Sequence, residues 1–148
     1  MRILGIDYGD RRTGVAVSDP LGWTAQGLET INGDMDAAAG RIVKLAGEYD
    51  ARTIVVGYPL NMNGTSGFRA ERTDEFISAL SKTAEEASLE LVVIKWDERL
   101  TSAEAARIMR DTGGRPTARK TREKGKLDVL SAAILLQSYL DKAKLPIN

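Results

Sequence analysis

The chain has 148 residues with 21 Lys plus Arg against 21 Asp plus Glu, so attraction to a polyanion must come from local placement of charge and not from a basic excess. Cysteine and histidine are both absent, which excludes disulfides, Cys/His zinc sites, cysteine nucleophiles, Ser-His-Asp triads and imidazole general bases together. The length suits one compact domain, 1–148, and any chemistry falls to carboxylates, Lys/Arg, hydroxyls or a metal.

Arg2 to Asp7 and Thr13 to Ser18 read as strands joined by the turn-forming Tyr8-Gly9-Asp10-Arg11-Arg12, a hairpin. Asp7 cuts the first apolar run short of an export signal, and no run nears the ~20 residues of a membrane helix, so a soluble cytoplasmic protein with no membrane contact is expected. Gly27 to Ile31 reads as a third strand. Asp36 to Tyr49 carries Ala39, Ile42, Val43 and Ala46 at helical spacing, and Thr53 to Gly57 is a continuous apolar run of the kind buried on both faces of a sheet. Phe68 to Ser88 is helical again, with Phe76, Ile77, Leu80, Ala84 and Ala87 on one stripe, and Leu89 to Trp96 follows as a strand. Thr101 and Glu104 form a capping-box signature for a helix running to about Asp111, which Gly113-Gly114 stops. A basic stretch to Gly125 reads as an exposed, mobile loop, and Lys126 to Lys142 as a closing helix with Leu127, Leu130, Ile134 and Tyr139 among its apolar positions. Antiparallel strands first and helix-strand alternation afterwards predict an α/β fold, a mixed sheet flanked by helices.

Three acids stand out. Asp7 ends the first strand and is followed by Tyr8-Gly9, where the backbone can turn and a ligand approach; the plainer alternative is a turn-opening aspartate. Glu98 lies just beyond another strand, where it could face the same cleft, although Asp97 and Glu98 could simply favour the N-terminus of the following helix, a dipole effect of ~0.3–1 kcal/mol each. Asp128 falls in the first turn of the last helix, where the same dipole effect is the alternative. If the three converge, their mutual repulsion implies bound cations, and all-oxygen ligands suit magnesium. Two such ions ~3.5–4 Å apart could bridge a scissile phosphate and activate water, which would let hydrolysis proceed without histidine.

Four blocks then resemble one family: Ile6 to Gly9 with Arg12 to Asp19, Val56 to Thr65, Asp97 to Thr101, and Lys126 to Asp128 with Ala132 to Leu136. In this order and at these spacings they look like the YqgF/RuvX family over nearly the whole chain. Tyr58, where leucine is more usual, and Asn63, where aspartate is frequent, depart from the pattern without touching the acids. The resemblance implies an RNase H-like fold with a mixed five-stranded sheet and helices on both faces. It also implies that Asp7, Glu98 and Asp128 are catalytic and metal-binding, with Mg2+, or Mn2+ as the alternative, as cofactor. Family members are described as nucleases that mature the precursor of small-subunit rRNA, the preferred expectation here, or as Holliday junction resolvases. Nucleic acid is the implied partner, as precursor rRNA, a ribosomal precursor particle or branched DNA, with the protein a monomer or homodimer.

Around the acids, Gly57 to Thr65 offers Asn61 and Thr65 as donors to a phosphate or base, against an ordinary structural turn. Arg12 and Arg99 flank two of the acids and could contact phosphate oxygens or serve as surface ion-pair partners. Arg115, Arg119, Lys120, Arg122, Lys124 and Lys126 concentrate positive charge just before Asp128, the footprint expected for a nucleic-acid backbone. Aromatic residues are 5% of the chain, so base stacking is not expected to be a strong feature. Two other readings are an actin-like phosphotransfer domain, opposed by the lack of a second lobe, and a noncatalytic nucleic-acid-binding module, opposed by three acids facing a phosphate backbone.

Overall fold

A computed structural model describes residues 1–61, 63–65, 67–100 and 118–143, with the backbone alone described at 100 and 118–124. Five strands form one mixed sheet: β1 Arg2–Asp7, β2 Arg12–Ser18, β3 Ala25–Asn32, β4 Ala51–Tyr58 and β5 Val92–Asp97. Their spatial order is β3-β2-β1-β4-β5, with β1 antiparallel to β2 and parallel to β4. The expected hairpin, the two helix crossovers to parallel strands and the mixed sheet are all present.

Helices α1 (Met35–Glu48) and α2 (Phe68–Glu86) pack together on one face. Asp34 caps α1 by accepting a hydrogen bond from the Ala37 amide at 3.0 Å, satisfying one of the donors a helix start leaves open. The stripe Ala39, Ile42, Val43 and Ala46 is buried as its spacing predicts, against Leu4, Ile6, Val15, Ile54 and Val56 of the sheet and Phe76 and Leu80 of α2. The opposite face carries one long helix, α3 (Ala118–Ala143), across β1, β2 and β3.

The last helix corrects two expectations. It begins at Ala118, so residues 118–125 of the basic stretch are helical, not a loop, and Asp128 lies well inside α3 instead of in its first turn. A dipole preference at a helix start therefore cannot account for Asp128, because that effect fades within one turn. The buried stripe is also rotated from the one expected: Asp128, Ser131, Ala132, Leu135, Leu136 and Leu140 face the sheet, while Leu130 is 49% exposed. The predicted helix from Thr101, its stop at Gly113-Gly114 and Arg115 lie outside the described residues.

The contact between α3 and the sheet is close because three adjacent strands present glycine beneath it. A Cβ at Gly5 would sit 2.6 Å from Leu136 Cβ, one at Gly14 2.0 Å from the Asp128 carbonyl oxygen, and one at Gly27 2.1 Å from Val129 Cγ1. Glycine inside a strand otherwise weakens it, so these positions mark where another backbone has to approach. The result is a helix seated at sheet level, with Asp128 brought down beside β2.

Candidate active site

Strand register fixes the relation of the acids. Asp7 is the last residue of β1 and pairs with Gly14 of β2. On its other side Ile6 pairs with Val56 of β4, so the next step of the register sets Gly57 beside Asp7. Each of these glycines lies against one of the other acids: Gly14 against the Asp128 backbone, and Gly57 against the Glu98 side chain, whose Oε1 would be 2.5 Å from an added Cβ. Gly5 and Gly14 face α3, and Asp7 follows Gly5 by two residues, so its side chain shares that face. Glu98 follows β5 directly, in a short 3₁₀ turn (Glu98–Leu100) that returns its carboxylate over β4.

All three acids are buried: Asp7 is 1%, Glu98 2% and Asp128 0% exposed. Among the described residues no three acids are gathered tightly enough to form a metal-ligand group as they stand. Asp128 Oδ2 accepts a hydrogen bond from Arg12 Nε at 3.0 Å. A guanidinium there offsets repulsion that buried carboxylates cannot sustain by themselves. The donor set still suits a hard divalent cation, being carboxylate oxygen throughout. Ser131, one turn beyond Asp128 on the same buried stripe, has a hydroxyl with no hydrogen bond among the described residues, an orphaned buried polar atom. The residues therefore fit the implied metal in the chemistry of their donors.

Arg12 is thus an ion-pair partner of a proposed site residue and not a bystander on the surface. Arg99 forms a fork with Asp97, Nη2 to Oδ2 at 2.7 Å and Nε to Oδ1 at 3.0 Å, on an exposed edge. Asn61 and Thr65 bind each other: the Asn61 amide nitrogen Nδ2 donates to Thr65 Oγ1 at 3.1 Å, and the Asn61 backbone N–H donates to the Thr65 carbonyl at 2.9 Å. Asn63 Oδ1 accepts from both the Thr65 hydroxyl, 2.7 Å, and the Thr65 amide, 3.1 Å. Gly64 holds φ at +84°, which favours glycine there. The loop is therefore self-braced, yet Asn61 also lines a cleft of about 260 Å³ together with Glu98. Arg119, Lys120, Arg122 and Lys124 lie on the first turns of α3, Lys126 is exposed further along, and no structure is described for Arg115.

A polar clamp holds the neighbouring elements. Tyr58 O–H donates to Asp74 Oδ2 at 2.7 Å while Lys95 pairs with Asp74 Oδ1 at 2.8 Å and lies 4.8 Å from the Tyr58 ring centroid, tying β4, β5 and α2 together. The Lys95 ammonium and the Tyr58 hydroxyl both hold the Asp74 carboxyl below its ordinary range, Lys95 being the larger influence. Tyr8 stacks on Phe76 with centroids 4.5 Å apart and donates to Asp10 at 3.0 Å. Burial first, and the Asp10 carboxylate second, push its hydroxyl up to about 12.

A mixed five-stranded sheet in the order 3-2-1-4-5, with helices on both faces and acids where the parallel strands end, defines an RNase H-like fold. Thermus thermophilus RuvC in complex with a Holliday junction substrate superposes with a TM-score of 0.58 at 16% identity, over 97% of this chain and 95% of that one. The fowlpox virus resolvase in complex with Holliday junction DNA gives 0.53 at 13%, covering 98% and 100%. The family described as RuvX, Holliday junction resolvase, matches residues 1–142, and the chain belongs to it. Relatives in Ruminiclostridium cellulolyticum and Acetivibrio thermocellus, 49% and 48% identical, both carry the name "Putative pre-16S rRNA nuclease". The first aligns over 96% of this chain and 95% of its own, the second over 95% and 96%.

Neither the glycines under α3 nor Ser131 stands out in the sequence as part of the site. A glycine in each of β1, β2 and β3 was a usable signal, since strand glycines mark close approach.

Proposed function

We propose that the protein is a metal-dependent endonuclease that hydrolyses phosphodiester bonds, acting in the cytoplasm at the 5′ end of precursor 16S rRNA, free or in a ribosomal precursor particle. The observation that carries this reading is the placement of three buried acids on one face of the sheet, around Asp7, with Gly14 and Gly57 leaving room for the other two. Asp7, Glu98 and Asp128 would hold the divalent cation, Mg2+ or Mn2+. When bound, such an ion lowers the pKa of a coordinated water and stabilises the departing oxygen. Asp7 is fixed by the central strand, Glu98 by its turn over Gly57, and Asp128 by the seat of α3, so the acids are held by secondary structure and not by loops. Arg12, already paired with Asp128, is positioned to meet a nonbridging phosphate oxygen once the acids are neutralised by a cation. The basic residues at 115–126 supply electrostatic attraction to the strand. The ribosomal substrate is favoured by the names of relatives at 48–49% identity.

Asp7→Asn is expected to abolish cleavage of a precursor 16S fragment in Mg2+ or Mn2+ while leaving binding largely intact. Unchanged cleavage by that variant would refute the metal centre. The family's description favours a second reading, resolution of Holliday junctions, which demands paired symmetric cuts and hence a dimer. A parallel assay on precursor rRNA, single-stranded RNA and four-way DNA junctions separates the two by which substrate is cut.

A further inference from the structure

The two phenylalanines of the chain have opposite fates: Phe76 is fully buried, whereas Phe68 is 70% exposed. An isolated exposed apolar residue is commonplace, but the position of this one is not. Phe68 is the first residue of α2, and it lines two clefts at once. One, about 260 Å³, includes Glu98; the other, about 70 Å³, includes Tyr8 and Asp10 beyond the end of β1. Pro59 and Arg69 line both clefts with it. The aromatic ring therefore stands on the wall of a groove that runs along the carboxyl ends of β1 and β4 and reaches one of the acids.

We propose that Phe68 is a stacking platform for an unpaired nucleobase of an RNA strand whose backbone crosses the site, a role that rests on the nuclease reading above. Three features select that occupant over an apolar partner. Arg69 lines both clefts with the ring and adds positive charge to the groove. The start of α2 also presents backbone amides, because its N-cap residue Gly67 has no side chain with which to cap them. A flat ring beside such cationic and amide donors matches the alternation of base and phosphate along a single strand, and stacking is sequence-tolerant because every base has a π-face. Phe68 is thus a positioning residue: it would fix the nucleotide neighbouring the scissile phosphate, without taking part in bond cleavage.

The test uses the full chain carrying Asp7→Asn, so that RNA is bound but not cut, and short single-stranded oligoribonucleotides with 2-aminopurine placed at successive positions. Binding is expected to quench emission at one position, as stacking on an aromatic ring does. Adding Phe68→Ala should abolish that quench and weaken binding roughly 5- to 150-fold, the range measured for loss of one base-aromatic contact. Phe68→Trp should restore both, whereas Phe68→Leu, apolar but without a π-face, should not. In the cleaving protein, Phe68→Ala should raise KM far more than it lowers kcat, with an unchanged melting temperature because the ring is exposed. An intact quench and Kd in Phe68→Ala would overturn the platform and leave the nuclease reading standing. Failure of the Asp7→Asn protein to bind any RNA would overturn both.

Discussion

Gly57→Ala probes the site with the least disturbance elsewhere. The added methyl would lie 2.5 Å from Glu98 Oε1, 3.1 Å from its Cγ and 3.2 Å from its Cδ, against about 3.4 Å for ordinary contact. The carboxylate must therefore retreat by roughly 0.9 Å. In stability the change is small: strain of about 1–3 kcal/mol is partly offset by about 0.4–1 kcal/mol from the narrower unfolded ensemble of alanine. At about 2–4 °C per kcal/mol for a chain of this size, Tm should fall by less than about 10 °C. In activity the change should be large if Glu98 acts as proposed, since displacing a catalytic group by ~1 Å costs on the order of 100-fold. Single-turnover cleavage of a precursor 16S fragment, beside a thermal melt, measures both. Cleavage at the parental rate by a protein carrying this methyl would show that the Glu98 carboxylate has no part in the chemistry, and the reasoning from register would fail with it.

Gly14→Ala should behave differently: its methyl meets the Asp128 backbone at 2.0 Å, so α3 itself has to lift, and a loss of about 3 kcal/mol or more is expected in urea melts. Arg12→Ala removes an ion-pair partner of a fully buried carboxylate and should cost on the order of 3 kcal/mol; Mg2+ should raise the Tm of this variant more than that of the parent, and equal shifts would speak against metal binding at Asp128. Tyr8 has its folded pKa raised to about 12 from an ordinary 10.0, so its contribution to stability is full below pH 10 and lost as pH rises through 12. The parent should therefore lose more stability than Tyr8→Phe over that alkaline window, as followed by urea midpoints at each pH.

The sheet was legible in the sequence because strand and helix periods alternate cleanly from Arg2 to Trp96, and Asp7 was legible because it terminates an apolar strand. Glu98 could be placed for the same reason, at the end of β5. The environment of Asp128 was less accessible. A buried stripe that contains an aspartate and a serine reads as a solvent face, so Leu127, Leu130 and Ile134 suggested the wrong rotation of α3. Its start was missed because a run of lysine and arginine with Gly125 resembles a loop, although these cationic side chains, glycine apart, have good intrinsic helix propensity. The glycines under α3 lie on different strands, and only their assembly under one helix reveals what they do. The loop Asn61–Thr65 showed its turn residues plainly, but not that their polar groups bind each other. Nor does a sequence tell an exposed phenylalanine from a core one, which is why Phe68 passed as an ordinary helix residue.

The Arg12–Asp128 ion pair joins positions 116 residues apart. At the usual ~5–20 residues per second of synthesis, a ribosome makes the segment with Asp7 roughly 6–24 s before it reaches Asp128. A nascent chain of this protein can shape most of its sheet early, but the third acid arrives late, and its seat against Gly14 forms only when α3 has cleared the exit tunnel. A site that needs all three acids, as proposed above, is therefore completed only after α3 has been made.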